Sequence, residues 1–164
     1  MTTDSAQSRC LYYRHTCHLP ATVDPATGAI NVRVGLVWAI EMPSHLGQLV
    51  KIDLDRRRQG GGPIVCHPRR ATWTFLTRSQ VPAGILTHEA PLWSNHRIVI
   101  LQSGAQVALP SPQGRGIFYR GWINATQSPY RPSGLAVLNS VRSVLFTTKR
   151  SPATTTYPPV RSHS

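Results

Sequence analysis

Apolar and polar residues alternate in Ile30-Asn-Val-Arg-Val34, which places Ile30, Val32 and Val34 on one face of a strand and Asn31 and Arg33 on the other. The turn Asp24-Pro-Ala-Thr-Gly28 precedes this strand, Gly35 breaks it, and Leu36–Glu41 follows as a second, more fully apolar strand. The period then changes. Pro43 and Ser44 open a helix in which Leu46, Leu49, Val50 and Leu54 recur at helical spacing, and Arg56-Arg57-Arg58 complements the macrodipole at its end. Gly60-Gly61-Gly62 is the expected stop. Upstream, residues 1–8 are polar and predicted to be flexible, with Ser8 placed to cap a short helix over Arg9–Cys17 that puts Cys10, Tyr13 and Cys17 on one face.

Beyond the glycines, Pro63–Cys66 and Thr72–Leu76 read as strands around the loop His67-Pro-Arg-Arg70. Pro82 and Pro91 confine any helix between them to one or two turns around Ile85–Glu89. Arg97–Leu101 and Ala105–Leu109 flank Gln102-Ser-Gly104, the length and glycine of a hairpin turn with a bulge. Residues 110–116 form a loop, Ile117–Ile123 a strand, and Ser133 caps a last helix running to about Phe146 with Leu135, Leu138, Val141 and Leu145 inward. Short strands and short connections predict a single α+β domain over residues 9–146, with a largely antiparallel sheet and three or four helices. Residues 147–164 hold Thr, Pro, Ser and Arg with almost nothing to bury, which predicts a disordered basic C-terminal tail.

Composition sharpens this picture through charge. The chain of 164 residues carries 18 Lys and Arg against six Asp and Glu, a formal charge of +12. Such an excess points to an anionic partner. No apolar run is long enough for a membrane span, and the first residues lack the basic and apolar regions of a signal peptide, so the expectation is a cytoplasmic protein with no membrane partner. Cys10, Cys17 and Cys66 are odd in number and are expected to be free thiols.

The acidic residues are Asp4, Asp24, Glu41, Asp53, Asp55 and Glu89, a set too sparse and scattered for an evident catalytic or metal pair. Asp53 and Asp55 stand about 200° apart on a helix and cannot reach one ion together. Cys10, His15, Cys17, His18, Cys66 and His67 lack the Cys-x-x-Cys chelate of structural zinc sites. Neither a metal site nor a cofactor is expected, and no nucleophile motif is present. The basic segments carry the remaining signal: Arg56, Arg57 and Arg58 lie on one side of a short glycine-rich loop and strand, and His67, Arg69 and Arg70 on the other. Arginine forks grip phosphates bidentately, and a neighbouring aromatic such as Trp73 can stack a base. The competing reading seats Trp73 in the core and solvates the arginines.

Leu19-Pro-Ala, Ile30–Gly35, Ala39-Ile-Glu-Met-Pro43, Gly62-Pro-Ile-Val-Cys-His-Pro-Arg69, Trp73-Thr-Phe-Leu76, Val107–Pro112 and Arg131-Pro-Ser-Gly134 resemble a family of short actinobacterial proteins, some with polymerase-related labels. That family is distantly similar to the N-terminal domain of bifunctional DNA primase/polymerases. The resemblance implies an α+β fold whose active strand carries paired acidic residues for two metals, followed by a segment meeting nucleotide phosphates. Cys66–Arg70 stands in place of that segment, but Glu41 has no acidic partner, and two-metal transfer needs several carboxylates. The leading expectation is therefore a non-catalytic basic protein that binds nucleic acid or nucleotide phosphates through Arg56, Arg57, Arg58, His67, Arg69, Arg70 and Trp73. Two alternatives stand beside it. One is a protein–protein adaptor for replication or transcription machinery, using an apolar edge near Trp93 or Trp122 and the basic tail for tethering; the other is a reduced nucleotidyl-transfer site at Glu41 and His67.

Overall fold

The structure, a computed structural model, describes residues 4–79 and 81–148. Its elements run α1 (Ala6–His15), β1 (Ala21–Val23), β2 (Ile30–Arg33), β3 (Trp38–Pro43), α2 (Ser44–Arg56), β4 (Ile64–His67), β5 (Thr72–Thr77), α3 (Ala83–His88), α4 (Ala90–Asn95), β6 (Val99–Ile100), β7 (Gln106–Leu109), β8 (Gly121–Asn124) and α5 (Gly134–Thr148). Short 3-10 turns cover Pro68–Arg70 and Gly116–Phe118. The strands form two antiparallel sheets, a small one in the order β1-β2-β7 and a five-stranded one in the order β6-β3-β5-β4-β8. This is an α+β fold. Where the pattern predicts three or four helices the described residues hold five, because the segment between Pro82 and the β6 strand breaks into two short helices at Glu89.

Period-two patterning sorts the large sheet. Ile40, Met42, Ile64, Trp73 and Phe75 turn one way and pack with Leu46, Val50 and Leu54 of α2 and Val137, Leu138 and Val141 of α5. Residues of opposite parity, Ala39, Val65 and Leu76, join Ile30, Val32, Val107 and Leu109 of the small sheet and Cys10, Tyr13 and Cys17 of α1. A side chain of this kind contributes about 1.5–3 kcal/mol when fully buried. The Tyr13 hydroxyl fastens the second cluster, donating to the Pro110 carbonyl at 2.7 Å and accepting from Trp122 Nε1 at 3.2 Å. On the helical side, Arg142 of α5 pairs with Glu89 and lies 5.6 Å over the Trp93 ring, which ties α4 to α5.

Several local expectations are corrected. Residues 97–101 and 105–109 do not form a hairpin: Leu101 N donates to Ala39 O, and β6 pairs with β3, whereas Val34 N donates to Ala105 O, and β7 pairs with β2. Because β2 and β3 part at the Gly35–Leu36 turn, the turn at residues 102–104 carries the chain from one sheet to the other. Helix α2 ends before the glycines, as Arg58 takes a left-handed φ of 58° and Gln59 N closes back on Leu54 O. Helix α1 starts earlier than Arg9, capped by Ser5 in a reciprocal box with Ser8. The strand expected over 117–123 is replaced by a 3-10 turn followed by the shorter β8. Leu49 and Leu135, expected inward, are exposed, while Val137 faces the core. Thr147 and Thr148 belong to α5, and the remainder of the expected tail, residues 149–164, lies outside the described residues.

Gly47 permits the closest contact between helix and sheet. A Cβ there would stand 2.9 Å from Trp73 Cε3 and 3.1 Å from Trp73 Cβ. Gly47→Ala gains about 1 kcal/mol of helix propensity but overpacks this seam, at a cost of about 1–3 kcal/mol. Urea titration should show the variant less stable by up to about 2 kcal/mol, and Gly47→Ala combined with Trp73→Leu should recover part of the loss. A more stable Gly47→Ala protein would refute this account of the seam.

Candidate anion-binding cleft

The covered face of the five-stranded sheet carries apolar side chains from edge to edge, but the opposite face does not. Glu41 pairs with Thr74 across β3 and β5, Thr74 with Val65, and Thr72 with His67 across β4 and β5. Equal parity turns Glu41, Val65, His67, Thr72 and Thr74 the same way. Arg120, which enters β8, and Arg70, which closes the Pro68–Arg70 turn, bring guanidinium groups to this face, while Asn31 and Ala108 face it from a directly paired position in the small sheet. All of these except Thr72 line a cleft of about 250 Å³.

Its charges do not balance. Arg70 lies 3.3 Å from Glu41, whose side chain is 18% exposed, and Arg120 is close enough to Arg70 for the two cations to disfavour one another. Burial and the Arg70 charge weigh against the charged form of Arg120, yet a guanidinium stays protonated in proteins. One carboxylate thus faces two fixed cations. His67 Nε2 donates to the Ile117 carbonyl at 3.2 Å, which leaves Nδ1 as the acceptor in the neutral ring. Burial, then the Arg120 charge, pushes its pKa below the usual histidine value, with Arg70 adding to the shift and Glu41 opposing it. Arg120 also donates to Ile117 O and Tyr119 O, both at 3.0 Å.

On the other side of the Glu41–Arg70 pair lies a more open hollow of about 600 Å³, walled by Ser44, His45, Thr72, His96 and Arg97 among others. The Thr72 hydroxyl oxygen is buried with no hydrogen-bond partner among the described residues. Helix α2 begins here with no side-chain cap and no acidic residue in its first turn, so its positive end adds to the field.

The seven residues singled out from the sequence are divided by the fold. His67 and Arg70 line the cleft. Arg69 is exposed on the same 3-10 turn and is not part of the cleft wall. Arg56, Arg57 and Arg58 are exposed at the far end of α2, whose 13 residues begin beside Ala71 and extend about 20 Å away. Arg57 is additionally held by Asp53 at 2.8 Å. The two basic segments therefore do not converge. Trp73 points to the helical side of the sheet, against Gly47, and cannot stack a ligand in the cleft. Arg120, Arg97, Asn31 and Thr74 were not singled out; an arginine inside the apolar stretch Ile117–Ile123 is the one sequence signal that marks Arg120.

Among the described residues no three of His, Cys, Asp and Glu gather as a metal-ligating group, and Glu41 is the one carboxylate lining the cleft. Cys10 and Cys17 are buried free thiols, and Cys66 is a half-buried one on the helical side. No helix among the described residues is long and apolar enough to cross a membrane. No protein-family model, curated protein or solved structure matches the chain.

The electrostatics of the cleft can be read at His67. Its folded pKa lies below the unfolded value of 6.5, so the unfolded chain takes up the proton first, and this contribution to stability is lost as pH falls from about 6.5 through the folded value. His67→Gln should lose less stability than the parent between pH 7.5 and pH 5.5, as followed by urea midpoints. In an NMR titration, Arg120→Gln should raise the His67 pKa and Glu41→Gln should lower it further. Shifts of the opposite sign would mean that these groups do not share a cleft.

Proposed function

We propose that the protein binds nucleotide phosphates in the cleft formed by His67, Arg70 and Arg120, without catalysing their transfer. The observation that carries this reading is the surplus of fixed positive charge inside a concave, partly desolvated space, two guanidinium groups against Glu41. Partial burial of Arg120 strengthens its interaction with an anion relative to open water, and a phosphate would relieve the repulsion between Arg70 and Arg120. The neutral His67 ring would gain a proton as the anion arrives, adding a second donor. Thr72 offers a hydroxyl in need of a partner on the adjoining wall.

A long nucleic-acid strand is the weaker form of the same reading, because Arg56, Arg57 and Arg58 lie at the far end of α2, about 20 Å from its start beside Ala71, rather than continuing the cleft as one stripe. For the adaptor reading, Trp93 is itself buried and Trp122 packs edge-on to Tyr13 with its N–H engaged, while Ile117, Phe118 and Tyr119 ahead of Trp122 are exposed. Nucleotidyl transfer by Glu41 and His67 has their proximity in its favour and lacks the further carboxylates that two metal ions require.

Titration calorimetry with adenosine triphosphate at low salt tests the proposal. Binding should weaken by at least about tenfold in Arg70→Ala/Arg120→Ala, since each charge-assisted contact contributes about 1.5–3 kcal/mol, and should change less than about threefold when Arg56, Arg57 and Arg58 are all replaced by Ala. Glu41→Gln removes the competing carboxylate and should tighten binding, whereas a catalytic or metal-holding Glu41 would leave it weaker. Equal losses from the helix-end and cleft variants would move the site to the whole basic surface.

A further inference from the structure

A second cavity of about 380 Å³ adjoins the cleft and has Asn31, Ala108 and Arg120 in common with it. Its volume lies in the usual range for small-molecule pockets, roughly 300–1,000 Å³. Its walls are mainly apolar, with Ala29, Ala108 and Phe118 among them, and polar groups come from Asp24, Thr27, Asn31, Ser111, Gln113 and Arg115 besides Arg120. Phe118 is 74% exposed and lines this cavity. Ile117, the residue before it, is anchored through its carbonyl by both His67 and Arg120, within the Gly116–Phe118 turn that carries the ring. The same two basic groups therefore form the phosphate cleft and position an exposed aromatic ring at the mouth of the cavity beside it.

Resting on the reading of the cleft as a phosphate site, we infer that this cavity receives the heteroaromatic base of the bound nucleotide, with Phe118 as its stacking face and Asn31 as a polar contact between base and phosphate ends. An anion lacking a ring would leave Phe118 in water. A ring lacking phosphate would forgo Arg70, keeping only Arg120, which lines both spaces. A ligand carrying both spans the shared wall.

Adenosine triphosphate, cytidine triphosphate and inorganic triphosphate, titrated against the full chain by calorimetry, separate the two layers of the argument. The nucleoside triphosphates should bind at least about fivefold more tightly than inorganic triphosphate. Phe118→Ala should abolish most of that difference, a loss of roughly 5- to 150-fold for one base–aromatic stack, and should leave inorganic triphosphate unaffected. Phe118→Tyr should retain it. Because Phe118 is exposed, truncation does not threaten the core, and Leu36→Ala, at another exposed apolar residue, is the matched control. Equal affinity for all three probes, or a nucleoside preference that survives Phe118→Ala, overturns the base subsite while the phosphate site stands. Failure of all three probes to bind overturns both.

Discussion

The five-stranded sheet is covered unequally, and the cleft is a consequence of that inequality. One face lies entirely against α2, α4 and α5, and its residues Ile40, Met42, Ile64 and Phe75 are buried accordingly. The other face must share the small sheet and α1, which reach Ala39, Val65 and Leu76 but stop short of Glu41, His67 and Thr72. A sheet of this size cannot leave an apolar surface uncovered without exposing it to water. The polar residues at the uncovered end are the complement of that limit. Glu41, His67 and Thr72 stand on strands, which gives them a defined geometry, while Arg70 closes a 3-10 turn and Arg120 immediately precedes β8.

That geometry is not one that stability alone would select. Arg120, partly desolvated, and the more exposed Arg70 repel each other beside one carboxylate, and a threonine hydroxyl nearby is buried without a partner. The Glu41–Arg70 contact offsets this weakly, since Arg70 is 61% exposed and exposed pairs contribute about 0–1 kcal/mol. Local conflicts of this kind concentrate at functional sites, where a ligand resolves them. By contrast, the pairs elsewhere are complementary: Lys51 with Asp55 and Arg57 with Asp53 on α2, and Arg142 with Glu89 between helices. The surplus is thus local to the cleft as well as general to the composition.

Much of the architecture is legible in the residue pattern, and the failures share a cause. Alternation in Ile30–Val34, helical spacing in Leu46–Leu54 and the Ser133 cap, which accepts from Ala136 N at 3.0 Å, each depend on neighbours in sequence. The hairpin expected at Gln102–Gly104 has suitable local chemistry, and it failed because β2 and β3 diverge and offer separate edges to its two arms. No pattern within residues 97–109 contains that information. The site was half legible for the same reason. His67 and Arg70 are marked by their own loop, but Arg120 reaches them through the pairing of β4 with β8, more than fifty positions away. Arg56, Arg57 and Arg58 attracted attention by adjacency, which says nothing about the opposite ends of a helix. Trp73 could be assigned a face only once Met42 was known to be its cross-strand partner.

The loop before β8 joins these two levels. Its Ile117 carbonyl accepts from His67 Nε2 and from Arg120, so the turn is held by two residues of the cleft wall, one of them a fixed cation. A carbonyl oxygen has two lone pairs and can satisfy both donors at once. Each guanidinium and imidazole also keeps further nitrogen atoms for other partners. An anion in the cleft can therefore bind the free nitrogens without releasing the loop, and protonation of His67 adds a donor at Nδ1 while Nε2 stays engaged. The atoms that hold the loop, His67 Nε2 and Arg120 Nη1, are in this way distinct from those left for an anion.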